Sequence, residues 1–464
     1  MLRSAFKSLV LGLVSGLTLL SLPTATLAAP SQNLLDIYQL GIANDPTLAA
    51  ARSANQATQE RLAQARSLFF PTISFTMNAT HSDTDIRYLG QGNNPFRTGG
   101  PQHFDTFGYG VNATQPIFRR QNNVQYDQAK LQVSQSDLQL IQAQQDLMLR
   151  LSQAYFDVLL AQDNIELINA QKTAINGQLE QAKANFEVGT ATITDVNEAQ
   201  ARYDLIVAQE IAATNDLEAK KRTLQSIIGT MPQPLAGVNP DIKTTPPQPA
   251  DMESWVDVAR QNNLAVNIQQ RALEIATKEV DRQQAGHYPI LDAVGSYDDT
   301  RAGGGVNGFG NDLESSQIGL QLQIPIFQGG LVSARVREAV ALKQQAQDNL
   351  EAARRQAELD TRTAYLNLTG SVAQVKAYEQ ALVSSRSQLE STQLGYEVGV
   401  RTSVDVLNAQ QQFYSAQRDL LQARYNYLLS LLRLKAATGL INEADLADVN
   451  QRLAATGPVA PPHP

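Results

Sequence analysis

Residues 186–200 come back at 396–410, and that duplication constrains this chain more than any other feature. Phe186-Glu187-Val188-Gly189 returns as Tyr396-Glu397-Val398-Gly399, followed by Thr192/Thr402, Asp195-Val196/Asp405-Val406 and Ala199-Gln200/Ala409-Gln410. Gln115-Pro116-Ile117-Phe118 is answered by Ile324-Pro325-Ile326-Phe327, Ala154-Tyr155 by Ala364-Tyr365, and Gly229 by Gly439. The offset stays near about 210 residues and widens slightly upstream, where Asn44 answers Asn262 and Pro71 answers Pro289. A period this long is a duplicated half-domain rather than a solenoid unit. The first copy therefore spans 29–230 and the second 251–440. Between them, 231–250 is rich in proline (Pro232, Pro234, Pro240, Pro246, Pro247, Pro249) and reads as an extended connector. Residues 441–464 read as a C-terminal tail.

Both halves have the same order of parts. A leading helical segment is expected from about Leu34 to Leu68, interrupted only by Pro46, and again from about Met252 to Ala285. A hairpin follows each. Ile73, Phe75, Met77 and Ala79 alternate with Thr72, Ser74, Thr76 and Asn78; Phe107, Tyr109, Val111 and Ala113 alternate with Thr106, Gly108, Gly110 and Asn112. In the second copy Ile318, Leu320, Leu322 and Ile324 alternate with Gln317, Gly319, Gln321 and Gln323, and Leu291, Ala293 and Tyr297 give a weaker match. Period-two alternation predicts strands with one apolar and one polar face. The joining loops, Gly90 to Gly100 and Gly303 to Gly310, are polar and glycine-rich.

After each hairpin, from Arg119 to Val188 and from Leu331 to Val398, no proline occurs and strong helix formers dominate. At ~1.5 Å per residue such a span is a rod about 100 Å long, too long for a compact core. Val188-Gly189 and Val398-Gly399 end the rods with a glycine C-cap. A returning helix of about 34 residues then leads to Gly229 and to Gly439. Returning and leading helices together match the rod in length, so the two are expected to stack end to end beside it.

Arg3, Lys7, the apolar stretch Leu9–Leu22 and Thr26-Leu27-Ala28 predict a signal peptide over 1–28. The alternative is a membrane anchor, but the apolar run falls short of the ~20 residues a spanning helix needs. The sequence contains no cysteine, which excludes both disulfides and a lipidated N-terminal cysteine. A formal charge of −8, more negative still once Arg3 and Lys7 are removed, argues against a nucleic-acid partner. After residue 28 no apolar run approaches spanning length, so any membrane crossing must use strands. Four strands cannot close a barrel, and open edges in lipid leave backbone groups unpaired at several kcal/mol each. Two chains would supply eight strands, whose interior is filled by side chains; three would supply twelve and leave a lumen. A soluble sandwich edge packed on helices is the plainer alternative.

The two-fold repeat, the Pro-Ile-Phe after each hairpin and the Val-Gly turns followed by Asp-Val resemble the TolC family of outer-membrane channel proteins. So do Gly399–Leu407, Ala423–Leu428 and Asn442–Leu446, and the match covers essentially the whole mature chain. The resemblance implies an α+β membrane protein: a homotrimer sharing one 12-stranded outer-membrane β-barrel that continues into an α-helical periplasmic tunnel. It implies a passive exit duct for small molecules or for type I protein secretion. The partners would be a periplasmic adaptor and an inner-membrane transporter of the RND, ABC or MFS class.

Carried over by motif, Tyr396 and Arg401 would link to Thr194 and Asp195 on a neighbouring returning helix and close the tunnel. Asp405 would face the lumen, where three copies would attract cations and raise one another's pKa values. The plainer account is that Asp195 and Asp405 simply complete capping boxes with Thr192 and Thr402. The family's pattern has a second acid one helical turn beyond Asp405, where this chain has Asn408, so weaker binding of multivalent cations is expected. Val188, Gly189 and Thr190, with Val398, Gly399 and Val400, are candidates for adaptor docking; helix capping explains them as well. Gly303–Gly308 fits G-x-G-x-x-G, but in a hairpin loop without the strand-to-helix context of a dinucleotide site. The four histidines are scattered, and no phosphate loop is present. No cofactor and no catalytic residue is expected. The rival classes are a secreted coiled-coil fibre, which leaves two amphipathic hairpins unexplained, and an enzyme, which nothing supports.

Overall fold

The computed structural model describes residues 31–87, 100–237, 239, 242–305 and 309–453. The signal-peptide reading, most of the Gly90–Gly100 loop, Val306–Gly308 and Pro458–Pro464 lie outside these residues. Each half begins with a broken helix: α1 (Leu34–Asn44) and α2 (Pro46–Ser67) in the first, α5 (Met252–Asn262) and α6 (Leu264–Gln284) in the second. The hairpins are β1 (Thr72–Ile86) with β2 (Gly100–Phe118), and β3 (Ile290–Ala302) with β4 (Asn311–Gln323). The rods α3 (Arg120–Glu187) and α7 (Leu331–Glu397) run 68 and 67 residues. They turn into α4 (Ile193–Ile228) and α8 (Ser403–Ala437), and a short α9 (Glu443–Gln451) follows.

The break in each leading helix has a local cause. Asp45 leaves helical geometry ahead of Pro46, and its carboxylate accepts from the amides of Thr47 (2.6 Å) and Leu48 (3.1 Å). The second copy was expected to run through. It breaks at Asn263 without any proline, because the Asn263 side chain accepts from the Val266 amide at 3.2 Å and starts α6 afresh. These breaks are the stacking joints. Gly229, at the C-terminus of α4, lies against Asn44, and a Cβ on it would come within 3.2 Å of the Asn44 Cβ. Gly439, after α8, abuts the Asn262 backbone in the equivalent way. Both glycines have left-handed φ (+77° and +75°), so the repeat-related pair is fixed both by backbone conformation and by close approach. Two short helices thus run end to end beside each rod.

One hydrophobic core joins the halves midway along the rods. Leu34, Ile37 and Leu48 pack with Leu151, Tyr155 and Leu159 of α3, Leu224 and Ile228 of α4, and Tyr427, Leu428 and Leu432 of α8. The segment read as tail is part of this core: Asn442 and Asp445 form a capping box on α9, which buries Leu446 and Val449 completely. A smaller cluster nearer the turns holds Ile168, Ile175, Leu179, Ala199, Ile206 and Leu407.

The four strands form a single antiparallel sheet in the order β1-β2-β3-β4, with β1 and β4 as open edges. Phe75 pairs with Val111, Met77 with Tyr109 and Ala79 with Phe107, so the apolar residues share one face. On that face the belt ends abruptly where His81 pairs with Asp105 (2.7 Å) and Asp83 with His103 (3.1 Å). At the opposite end Arg119 grips Asp292 through two bonds (2.8 and 2.6 Å), tying the start of α3 to β3. Among the described residues no helix is long and apolar enough to cross a membrane.

Candidate gate and docking tip

The two turns at the far end of the rods are built alike. Gly189 takes φ +78° and Gly399 φ +79°. The amides of Gly189 and Thr190 return to the carbonyls of Phe186 (3.0 Å) and Asn185 (2.8 Å). Those of Gly399 and Val400 return to Tyr396 (3.1 Å) and Gly395 (2.9 Å). This is the Schellman closure, which satisfies the last carbonyls of each rod and needs a residue with positive φ. Val188, Val398 and Val400 are then left 74%, 66% and 75% exposed, an apolar tip with no cover among the described residues.

Thr192 and Thr402 start the returning helices. The Asp405 carboxylate accepts from the Thr402 amide and hydroxyl, both at 2.9 Å; Asp195 does the same at Thr192, at 2.9 and 2.8 Å. Capping is therefore observed at both acids. The Thr402 amide and hydroxyl, aided by the Arg401 charge, hold the Asp405 carboxyl below the ordinary carboxylate range. That direction is opposite to the rise expected from a ring of three acids, because inside one chain the capping donors are the near neighbours.

The other expected gate residues lie within this end. Tyr396 accepts at its hydroxyl from the Asn185 side chain (3.3 Å), joining the tips of the two repeats. The Arg401 side chain lies over Gly395, and among the described residues neither it nor Thr194 makes a side-chain hydrogen bond or ion pair. Asn408 accepts from Arg202 (3.1 Å), which also donates to Gln411 (2.8 Å).

Asn185, Arg202 and Asp163 were not anticipated. Asn185 and Arg202 have no chemical counterpart in the other repeat, where Gly395 and Gln412 stand. Arg202 did carry a signal as the one basic residue between Ile193 and Ala219. Asp163 on α3 accepts from the buried Tyr425 hydroxyl of α8 at 2.6 Å, between the main core and the smaller cluster. Burial pushes its carboxyl up to about 6; the Tyr425 bond opposes this and Glu166 adds to it. A folded value above the unfolded one means that the contribution to stability is complete below the unfolded value and is lost as pH rises through about 6. Asp163→Asn should therefore raise the unfolding free energy at neutral pH by at most about 3 kcal/mol per chain, and flatten its dependence between about pH 4 and pH 7. Unfolding curves of both proteins across that range check this; parallel pH profiles would refute it.

Long paired rods, a sheet with a one-sided apolar belt and unsealed edges, and turns built to meet at one end define the subunit of an outer-membrane exit channel. The chain belongs to the outer membrane efflux protein family, whose profile matches residues 37–230 and 255–440. It is 34% identical to the outer membrane protein TolC of Vibrio cholerae, over 93% of this chain and 96% of that one. It is 31% identical to the alkaline protease secretion protein AprF of Pseudomonas aeruginosa, over 89% of this chain and 85% of that one. The outer membrane protein VceC of Vibrio cholerae shares the fold, with a TM-score of 0.73 at 20% identity, over 88% of this chain and 96% of that one. The protein is a passive outer-membrane channel with a periplasmic helical tunnel, and it is not an enzyme.

Proposed function

We propose that three copies of this chain, exported by a leader over residues 1–28, close a twelve-stranded barrel and form an exit duct for small toxic molecules, for type I secreted proteins, or for both. The observation that carries this is the four-stranded sheet with both edges unpaired and an apolar belt on one face, formed by Ile73, Phe75 and Met77 with Val111 and Tyr109 and continued by Ile318, Leu320 and Leu322 of β4. The relatedness to AprF, named for alkaline protease secretion, supports protein cargo. The exposed valine tips at Val188, Val398 and Val400, with their turns at Gly189, Thr190 and Gly399, dock a periplasmic adaptor. An inner-membrane RND, ABC or MFS transporter supplies the energy.

In the trimer, Tyr396 and Arg401 reach Thr194 and Asp195 of the adjoining returning helix, and Asp405 completes a ring at the constriction. The Arg401 side chain, which makes no hydrogen bond or ion pair among the described residues, supports such an intersubunit link. Purified in detergent, the protein should run as a heat-modifiable trimer and conduct in planar bilayers. The double variant Tyr396→Phe, Arg401→Ser should raise that conductance severalfold. A soluble monomer without detergent would overturn the duct, whereas unchanged conductance in the variant would overturn only the link.

A further inference from the structure

We infer that Arg202 is a positioning residue that locks α4 to α8 about two helical turns deeper in the tunnel than the turn-level links. This inference rests on the gate reading above. Three guanidinium nitrogens are engaged. Nη1 donates to Gln411 Oε1 at 2.8 Å, Nη2 donates to Asn408 Oδ1 at 3.1 Å, and Nε lies 3.5 Å from Glu198 Oε1. Asn408 and Gln411 are three residues apart on α8, so they share one face and present two carbonyl oxygens to the fork of one guanidinium. Glu198, one turn earlier on α4, orients the arginine from its own helix.

The geometry beneath makes this bond consequential. A groove of about 480 Å³ lined by Ile168, Ile175, Ile206 and Leu407 separates the α3/α4 pair from α8, and Arg202 and Gln411 stand at its wall. The α3/α4 pair belongs to the first repeat and α7/α8 to the second. Opening this end requires one pair to move against the other, and such a movement separates Arg202 from both acceptors. Lysine cannot take its place fully, because a single ammonium lacks the fork that reaches two side chains at fixed spacing.

The contact also changes what Asn408 means. Its carbonyl is turned sideways to α4 rather than left free over the lumen. An acid at 408 would pair with Arg202 and be neutralised there, so adding the carboxylate alone does not create a second cation-binding ring.

Bilayer recordings with hexaamminecobalt(III) as the trivalent probe test both consequences on the assembled full-length protein. Arg202→Ala should raise conductance severalfold, and Asn408→Ala with Gln411→Ala should reproduce this from the other helix, so one variant suffices if the other fails to assemble. Arg202→Lys should fall between. Asn408→Asp alone should leave trivalent block near that of the parent, whereas Asn408→Asp with Arg202→Ala should tighten it by about tenfold. Parent-like conductance in both lock variants, while the Tyr396/Arg401 variant opens, would overturn the lock and leave the gate reading standing. Parent-like conductance in all of them would overturn both. Full tightening of block by Asn408→Asp alone would show that residue 408 faces the lumen unpaired and would also overturn the lock.

Discussion

Phe75→Lys is expected to deplete the protein from the outer membrane, while Thr76→Lys, one residue on, is expected to be tolerated. Phe75 lies mid-way along the apolar run of β1, is 64% exposed in the single chain and faces Val111 across the pair. Its neighbours on that face, Ile73 and Met77, are 71% and 63% exposed. No other described part of the chain covers them, so lipid is the solvent that makes their exposure favourable. A lysine at mid-bilayer costs roughly 2–4 kcal/mol in each copy, and the cost recurs in every subunit of one barrel. Thr76 points the other way, toward water, where a charge alters selectivity rather than insertion. Membrane fractionation and the yield of heat-modifiable oligomer read the contrast directly. Equal loss from both variants would mean that the strand itself is disturbed, and equal tolerance would mean that the apolar face does not meet lipid.

The parts of the fold that were legible in the sequence are those governed by a single local rule. The proline-free rods end where glycine permits a left-handed cap, and α3 and α7 stop within a residue of the expected Val188 and Val398. The strands were legible only as far as their apolar alternation lasts. β1 and β2 pair well beyond Ala79 and Phe107, to Ile86 and Gly100, because backbone hydrogen bonding continues where the face turns from lipid to water. Pro116 sits within β2, tolerated beside a register shift between Pro116 and Phe118. The Asn263 break was hidden because asparagine caps a helix through a side-chain bond that competes with a continuous helix, and only the close approach of Gly439 decides between the two. Helix α9 was obscured by its brevity, although Leu446, Val449 and Leu453 already stood at helical spacing. At the gate, the capping residues were readable from Thr-x-x-Asp spacing. Arg202, Asn185 and Asp163 depend on which helix of one repeat lies beside which helix of the other, and the internal repeat itself conceals such asymmetric pairs.

The repeat-related tyrosines carry the second large effect. Tyr155 and Tyr365 occupy equivalent positions on the two rods, and each donates its hydroxyl to the proline-rich connector: Tyr155 to the Ala236 carbonyl at 2.7 Å, Tyr365 to that of Ala250. The connector is therefore fastened to both halves, near its start by Tyr155 and at its end by Tyr365. The two sites differ in burial, Tyr155 being fully enclosed among Leu34, Leu151 and Leu159 while Tyr365 is half-buried. Tyr155→Ala should accordingly destabilise the fold by about 3–5 kcal/mol, the range for truncating a buried aromatic. Tyr155→Phe keeps the ring and loses only the donor, leaving the Ala236 carbonyl short of a partner at a cost of about 1–3 kcal/mol. Tyr365→Phe should cost less than Tyr155→Phe, since water can reach its carbonyl. Denaturant midpoints of the four proteins should fall in the order parent, Tyr365→Phe, Tyr155→Phe, Tyr155→Ala. Equal losses at Tyr155→Phe and Tyr365→Phe would show that fastening the connector, rather than burial of the donor, sets the energetics of the joint between the halves.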